Sequence, residues 1–478
     1  MSIILGSLAF AVATFLSRLL GLLRDMLMAS KFGTSWEADA YFVAILFPFF
    51  LRRVFGEGAM TSAFVPLYSE SKDKNEFLSS VLTGFTLILI VIVSVSMVFP
   101  EIVVYMFSSG APERTKELTK TLVRITAPSI LFVFWWAIAY SIENTRGRFF
   151  YPALTPIYPN LVMIILMLIP GLGIYGPTWG FLIGEGIAFA SLTYTLRKHK
   201  LHITLSHFGE FLKYFFPSFL AMSVSQINSI VDTNVVSYYS STNRGGVSYL
   251  QYASRFYMLP YGLFGVAVAT VILSTISNDR ENYKQHLRKG ITSTLFFTLP
   301  AAIGLVVLSQ PIIRLFYEYG KFTAHDTKIT AQVLSAYASG LPFYGVYSTM
   351  SRARHALKDM TTPLRATVLV ATVNVVLDLA VGLKYGPVGV ALATSIAGLV
   401  GCVYLVLKER EKDLFESENI YVVISSTAMG LLTFWFSTLS SRRFWVLFST
   451  LFGVVVYLSI SFLFFRRKLT SFLKLKKG

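Results

Sequence analysis

The sequence predicts an all-α polytopic membrane protein with fourteen transmembrane helices. Of its 478 residues, 54% are hydrophobic and only 14% are charged, whereas an ordinary soluble domain is about 25% charged. Roughly 20 consecutive apolar residues make one membrane-spanning helix. Fourteen stretches fit that description, and because their texture is continuously apolar rather than alternating, we expect helices. They cover roughly residues 3–30, 38–67, 78–107, 119–143, 153–170, 177–196, 211–239, 247–276, 290–316, 329–351, 364–382, 387–407, 420–438 and 444–465.

The rest of the chain consists of short connections and a basic tail, which excludes an attached ATPase or nucleic-acid-binding domain. The net charge of +17 would suit nucleic acid, but loop lysines facing an anionic leaflet explain it better in a chain this apolar. GLGIYG at 171–176 fits G-x-G-x-x-G, yet it joins two spans rather than a strand and a helix. We therefore expect no nucleic-acid and no nucleotide partner. Cys402 stands alone, without zinc spacing to other ligands.

Lysine and arginine in the connections predict the orientation. With the N-terminus in the cytoplasm, 25 of the 42 Lys and Arg residues fall in cytoplasmic connections and the tail, against 10 on the opposite side. We therefore expect both termini in the cytoplasm.

The chain also repeats itself at an offset near 210 residues. FPFFLRRVFGEGAMT (47–61) aligns with FYMLPYGLFGVAVAT (256–270), and residues 175–198 align with residues 385–408. Six spans per repeat point both halves the same way, the parallel-repeat layout of transporters with a central cavity between the halves. We therefore expect an N-terminal six-helix lobe at 1–200, a C-terminal six-helix lobe at 201–412, and additional helices 13 and 14 with a basic cytoplasmic tail at 413–478.

Charge inside the spans is the most informative local feature. An arginine at the centre of a membrane helix costs about 2.5–3.5 kcal/mol on insertion scales, so it persists where it lines a wet cavity or meets an anion. The first, second and eighth spans contain Arg18, Arg24, Arg52, Arg53 and Arg255 against the acids Asp25, Asp39 and Glu57. This surplus of two positive charges suits a diphosphate, which arginine binds with bidentate geometry. The alternative is structural ion pairing.

Several neighbours of these arginines have supporting roles in this interpretation. Arg53 and Glu57 are four residues apart and are expected to pair. Gly21 lies between Arg18 and Arg24 in SRLLGLLRD (17–25), which begins at Ser17, and it permits bending or close helix approach. Simple helix packing would explain Gly21 equally well. For Asp39, an interaction with the N-terminal dipole of its own helix is the plainer alternative to a cavity role.

The second half has a different signature, which predicts a cation site. Asn374 and Asp378 are four residues apart in span eleven and share a face, and Asp232 lies in span seven. Thr394 follows Val390 by one turn in span twelve, and no intramembrane Lys or Arg in these spans neutralises the two carboxylates. Oxygen ligands of this kind suit Na⁺ or a proton. A polar packing network is the alternative, and we expect no other cofactor.

SRLLGLLRD, followed by ADAYFVAILFPFFLRRVFGEGAMTSAFVPLYSE, resembles the start of the MurJ/MviN family, the lipid II flippases of the multidrug/oligosaccharidyl-lipid/polysaccharide exporter superfamily. The resemblance implies a bacterial inner-membrane protein that moves undecaprenyl-diphosphate-linked peptidoglycan precursor to the outer leaflet by alternating access. It points to Arg18, Arg24, Asp39, Arg52 and Arg255 as functional positions. The substrate lipid and membrane lipids are the expected partners, and we expect a functional monomer.

Two alternatives stay open on the sequence. A flippase for another polyprenyl-linked glycan would use the same cavity. A cation-coupled multidrug exporter would need an acidic cavity, which the surplus of arginine argues against. We expect no enzyme, because the external loops are too short for the acids and histidines of a polyprenyl-phosphate transferase.

Overall fold

The structure is a computed structural model that describes residues 3–54, 60–148, 150–240, 245–409 and 413–475. Within these ranges the chain is α-helical and contains no strand, which confirms the all-α class. Seven helical segments are long and apolar enough to cross a membrane, or eight if the bent pair Glu113–Thr126 and Ser129–Thr145 forms one span. One of the seven, Thr361–Lys408, is 48 residues long and exceeds the length of two spans. The total of fourteen spans stays a prediction.

The helices follow one another as α1 (Ile3–Phe32), α2 (Trp36–Val54), α3 (Met60–Glu70), α4 (Lys74–Val98), α5 (Glu101–Ser108), α6 (Glu113–Thr126), α7 (Ser129–Thr145), α8 (Phe150–Leu154), α9 (Ile157–Leu168), α10 (Tyr175–Leu196), α11 (Phe208–Ser240), α12 (Val247–Pro260), α13 (Ala267–Asn278), α14 (Tyr283–Val307), α15 (Ser309–Phe316), α16 (Ala324–Ala356), α17 (Thr361–Leu377), α18 (Leu383–Lys408), α19 (Glu418–Thr438) and α20 (Trp445–Leu475). Two π-helical segments, Tyr261–Val266 and Asp378–Gly382, follow α12 and α17.

The chain forms two compact units, Met1–Ser248 and Tyr249–Gly478. Helix α11, the first helix of the second sequence repeat, contacts α2, α3, α4 and α5 within the first unit. The boundary between the compact units therefore lies one helix beyond the boundary between the repeats. The lobes at 1–200 and 201–412, which rest on the repeat, stay a prediction.

Glycines bring α9 and α10 into close contact in the first unit. A Cβ at Gly176 would lie 2.6 Å from the carbonyl oxygen of Leu166, and a Cβ at Gly180 would lie 2.6 Å from the Cα of Met163. At Gly184, one turn further, a Cβ would overlap the Cα of Pro159. Glycines at every fourth position thus let the two backbones touch, which is how small residues pack membrane helices.

Three predicted cytoplasmic connections meet at one end of the first unit. His199 Nδ1 lies 2.9 Å from Asn75 Oδ1, and His199 Nε2 lies 3.2 Å from the Tyr68 hydroxyl and 3.4 Å from Arg146 Nη2. Burial, together with the nearby cations of Arg146 and Lys74, lowers the pKa of His199. The neutral ring can then donate to Asn75 and accept from Tyr68, so the residues after α3, α7 and α10 are held together.

Predicted external connections meet at the other end of the same unit. Asn234 of α11 donates from Nδ2 to the carbonyl oxygens of Tyr105 and Met106, at 2.8 and 3.1 Å. The hydroxyl of Ser109 donates to Asn234 Oδ1, and Ser237 accepts from the backbone N–H of Gly110. The side chains of α11 thus cap the carboxyl end of α5, where helical carbonyls lack partners of their own.

In the second unit, α16 packs against α14 and α18 through small residues. Gly340 of α16 lies against Ser395 of α18, whose hydroxyl donates to the carbonyl oxygen of Ala336 at 2.6 Å. Near the start of α18, Gly386 has φ 61° and ψ −138°, a backbone conformation that glycine adopts without strain. The chain therefore breaks its helical path between the π-helical segment Asp378–Gly382 and the body of α18.

Within the second unit, the last two helices, α19 and α20, pack against α14 and α15. The Tyr457 hydroxyl of α20 donates to the carbonyl oxygen of Phe296 at 2.6 Å. Arg443, just before α20, donates to the carbonyl oxygen of Glu318 at 2.7 Å and stacks on Tyr319 with its guanidinium carbon 4.6 Å from the ring centre. Helices α19 and α20 are thus held to the rest of the second unit near the middle of α20 and at the turn between the two helices.

Candidate functional site

The candidate site in the first unit is built around α1, where Arg24 is firmly held. Its Nε and Nη2 donate to Asp25 Oδ1 at 2.9 and 2.7 Å, and its Nη1 donates to Asn160 Oδ1 at 2.9 Å. Asp25 is buried, and the side chain of Arg24 is 11% exposed. The guanidinium plane is therefore fixed by two helices, α1 and α9, before any ligand arrives.

Asn160 connects α9 to three positions of SRLLGLLRD. Besides accepting from Arg24, it donates from Nδ2 to the carbonyl oxygens of Ser17 and Pro156 at 3.4 and 3.0 Å. A Cβ at Gly21 would lie 3.8 Å from Asn160 Nδ2, an ordinary van der Waals distance, so Gly21 faces this amide without being required for space. Asn160 thus positions the segment of α1 between Ser17 and Arg24.

Arg18 has a different environment from Arg24. It is exposed, and within the described part of the chain it makes neither a hydrogen bond nor an ion pair. The seven-residue spacing places Asp25 near the same face as Arg18, but the carboxylate of Asp25 pairs with Arg24 instead. Of the arginines on α1, Arg18 is therefore the one whose charge is uncompensated.

Arg52, near the end of α2, is paired with a buried acid. Its Nη1 donates to Glu185 Oε1 at 2.8 Å, and its guanidinium carbon lies 4.8 Å from the centre of the Trp136 ring. The side chain of Arg52 is 14% exposed, whereas that of Glu185 is 2% exposed. Trp136 is fixed in turn by its indole N–H, which donates to Thr155 Oγ1 at 2.7 Å.

Arg53 points elsewhere, because its Nη1 donates to Gln226 Oε1 of α11 at 3.3 Å. Glu57, its predicted partner, lies outside the described residues, so the Arg53–Glu57 pair stays a prediction.

Asp39 lies in the first turn of α2, but its carboxylate serves a different helix. Oδ2 accepts from the backbone N–H of Gly246 at 2.9 Å, and Oδ1 accepts from the backbone N–H of Ser248 at 2.8 Å. Both bonds are buried and satisfy N–H groups at the start of α12, which have no partner within that helix. Gly245 has φ 67°, and a Cβ there would lie 2.6 Å from the side chain of Thr34, which leaves no room for another residue type.

Arg255 lies on α12 in the second unit and is exposed. The helix containing it continues into the π-helical segment Tyr261–Val266, which begins directly after Pro260. Proline cannot donate to the ladder, so an irregular helical hydrogen-bonding pattern at this point has a local cause.

The candidate cation ligands are divided between the units. In the second unit, Asn374 Nδ2 donates to Asp378 Oδ2 at 2.6 Å, and both residues are buried. Thr394 Oγ1 donates to the carbonyl oxygen of Val390 at 3.1 Å. Asp232 lies on α11 in the first unit. The convergence of all five groups on one ion stays a prediction, and no three His, Cys, Asp or Glu side chains in the described ranges are grouped as metal ligands.

Asn160 and Glu185 are not among the residues predicted from the sequence. Glu185 carried a usable signal, because it is the one charged residue among positions 175–196, inside an otherwise apolar span. Asn160 carried a weaker signal as an amide in an apolar stretch. Neither could be assigned to its arginine, since Asn160 is 136 residues from Arg24 and Glu185 is 133 residues from Arg52.

The profile of the family described as "Lipid II flippase MurJ" matches residues 28–456. The chain belongs to the MurJ family. This confirms the resemblance carried by the N-terminal motif, and it makes the chain a flippase rather than an enzyme.

Among its relatives, the "Lipid II flippase MurJ" of Thermosipho africanus is 52% identical over 480 residues, covering 100% of each chain. A solved structure described as "Lipid II flippase MurJ, inward closed conformation" superposes with a TM-score of 0.90 at 52% identity, covering 96% of this chain and 99% of that one. An inward-facing multidrug resistance MATE family transporter of the MOP superfamily superposes with a TM-score of 0.65 at 14% identity, covering 88% of this chain and 98% of that one. The last likeness concerns the fold alone.

Proposed function

We propose that this chain moves lipid II, the undecaprenyl-diphosphate-linked peptidoglycan precursor, from the inner to the outer leaflet of the bacterial cytoplasmic membrane. In this proposal the movement proceeds by alternating access, and the membrane potential or an ion gradient drives it, because the sequence contains no nucleotide-binding motif. Arg18, Arg24, Arg52 and Arg255 bind the diphosphate. Both termini face the cytoplasm, and the protein works as a monomer.

The proposal rests on the exposure and pairing of the arginines in this chain, which belongs to a family of lipid II flippases. Arg18 is exposed and has no counter-ion among the described residues, while Arg24 is held in place by Asp25 and Asn160. One uncompensated guanidinium on the same helix as a preorganised one suits a ligand with more than one anionic group. A diphosphate is such a ligand, and a cationic drug is not.

Complementation with arginine variants tests the proposal. Arg18→Ala, Arg24→Ala, Arg52→Ala and Arg255→Ala should each fail to rescue, or barely rescue, a bacterium depleted of its own lipid II flippase, at unchanged membrane expression. Lysine should rescue only in part, because it lacks the planar fork of arginine. Arg114→Ala is the matched control, since Arg114 is an exposed arginine that stacks on Trp36 outside the spans, and it should rescue fully. Full activity in three of the four alanine variants would overturn the diphosphate assignment.

We also infer that Asp232, Asn374, Asp378, Val390 and Thr394 bind Na⁺. The hydrogen-bonded pair Asn374–Asp378 supports this, because it presents buried oxygen atoms to one locality of the second unit. Na⁺ should then stabilise the detergent-solubilised protein in a saturable manner, by RT ln(1 + [L]/Kd), and K⁺ at equal ionic strength should do less. Asp378→Asn should abolish the difference. An identical response to the two ions in the unaltered chain would refute the site.

A further inference from the structure

The ion pair of Arg52 differs from that of Arg24 in how much of the guanidinium it engages. Arg24 uses all three of its nitrogens on Asp25 and Asn160. Arg52 uses only Nη1 on Glu185, and within the described part of the chain its Nε and Nη2 make no hydrogen bond. Half of the arginine fork is therefore still able to receive a second anion, although the charge is already neutralised.

The surroundings keep this half-engaged pair in place. The Trp136 ring lies against Arg52, and the bond from Trp136 to Thr155 fixes the ring. Glu185 is held by the close packing of α10 on α9, where Gly184 touches Pro159. Three helices, α2, α7 and α10, thus preform the pair.

The energetics of a buried ion pair make exchange feasible. A buried arginine without a counter-ion carries a large desolvation penalty, and Glu185 removes that penalty while the site is empty. A buried pair contributes little net free energy to stability, because the attraction between its charges is offset by the cost of desolvating both ions. Displacement leaves the buried carboxylate of Glu185 without its partner, which is unfavourable, so the incoming diphosphate must offset that cost. A diphosphate can do so because it carries two charges and offers two oxygen atoms to the free side of the fork.

We propose that Glu185 is the resident counter-ion of Arg52: the substrate diphosphate displaces it on binding, and it returns to Arg52 when the diphosphate leaves. This inference rests on the proposed function and adds a residue that sets affinity and release. Without an internal competitor, a diphosphate held by several arginines in a site of low dielectric would dissociate slowly. By competing for Arg52, Glu185 lowers the affinity of the site for the diphosphate and so speeds its release.

Replacing the carboxylate of Glu185 tests the inference. The purified full chain with Glu185→Gln should bind undecaprenyl diphosphate at least about tenfold more tightly than the unaltered chain, because close charge pairs have couplings of that size or more. Rescue of a flippase-depleted bacterium should fall at the same time, since release slows. Glu185→Asp, whose shorter side chain retracts the carboxylate, should have an intermediate affinity, and it retains the charge if Glu185→Gln does not fold.

Glu143 provides the matched control. It is as deeply buried, and it also contacts α10, through Tyr194 and Thr195. Its ion-pair partners, however, are Arg146 at 2.9 Å and Arg148 at 3.9 Å rather than Arg52. Glu143→Gln should leave the affinity for undecaprenyl diphosphate unchanged. The double variant Arg52→Gln with Glu185→Gln should bind no more tightly than Arg52→Gln, because Glu185 acts only through Arg52.

These binding measurements distinguish a failure of the counter-ion role of Glu185 from a failure of the proposed function. If the unaltered chain and Glu143→Gln bind undecaprenyl diphosphate no better than undecaprenol, the proposed function is wrong and the inference falls with it. If both prefer the diphosphate, but Glu185→Gln and Glu185→Asp bind it no more tightly than the unaltered chain, the inference alone is wrong. A gain in affinity that persists without Arg52 would also overturn it.

Discussion

Replacement of Asp39 should cost the first unit several kcal/mol of stability. Its carboxylate accepts two buried backbone N–H groups, from Gly246 and Ser248, at 2.9 and 2.8 Å. A hydrogen bond to a charged group contributes about 1.5–3 kcal/mol, so Asp39→Ala should lower the free energy of unfolding by about 3–6 kcal/mol. Asp39→Asn keeps one acceptor oxygen and should lose about half of that.

Thermal unfolding of the detergent-solubilised protein measures the effect, with an expected fall in Tm of roughly 6–12 °C for Asp39→Ala. Glu37→Ala is the control, because Glu37 is in the same first turn of α2 and has no hydrogen bond to the described chain. If the acid served only the dipole of its own helix, the two alanine variants would lose similar stability. A Tm for Asp39→Ala within about 1 °C of the unaltered chain would refute the reasoning.

Three further predictions follow from other parts of the fold. Burial and neighbouring cations lower the pKa of His199 below its usual value of about 6.5. The contribution of His199 to the stability of the fold is therefore fully present above that pH and is lost as the pH falls below it. The unaltered chain should therefore lose more Tm between pH 7.5 and pH 5.5 than His199→Gln, and equal losses would contradict this. Gly184→Ala should lower Tm by several degrees, because its Cβ would overlap Pro159. Gly186→Ala should leave Tm unchanged, because its Cβ would lie at an ordinary 3.5 Å from the nearest atom. Similar Tm values for the two variants would argue against close packing of α9 on α10. The last two helices fall outside the sequence repeat, and we expect them to provide a groove for the lipid tail. Deleting residues 420–478 should therefore permit membrane insertion but reduce transport of long-tailed substrate, and undiminished transport would exclude the groove.

Composition and the continuously apolar texture of the spans predict the all-α class because they act over the whole chain, whereas the family is indicated by the resemblance of the N-terminal motif. The cost of placing arginine in a membrane span likewise directs attention to Arg18, Arg24 and Arg52 from the sequence alone. The spacing of Asn374 and Asp378 predicts a common face, since four residues make about one helical turn. These features depend on neighbours in sequence or on the membrane as solvent.

The partners of the arginines could not be predicted in the same way. Whether Arg24 also meets an amide of α9, and whether Arg52 meets Glu185, depends on which helices pack together, because Arg24 and Asn160 are 136 residues apart and Arg52 and Glu185 are 133 residues apart. The role of Asp39 was obscured for a related reason. Its position in the first turn of α2 suggests the dipole of that helix, whereas the fold brings the start of α12 to its carboxylate.

The most direct test of the account is the movement of fluorescent lipid II across proteoliposomes that contain the purified chain. The unaltered chain should move lipid II between leaflets much faster than it moves in protein-free vesicles. Arg18→Ala, which removes the exposed and uncompensated guanidinium, should lose most of this activity. Arg114→Ala should keep it. A rate equal to that of empty vesicles, or an undiminished rate in Arg18→Ala, would contradict the central claim that these arginines move the diphosphate.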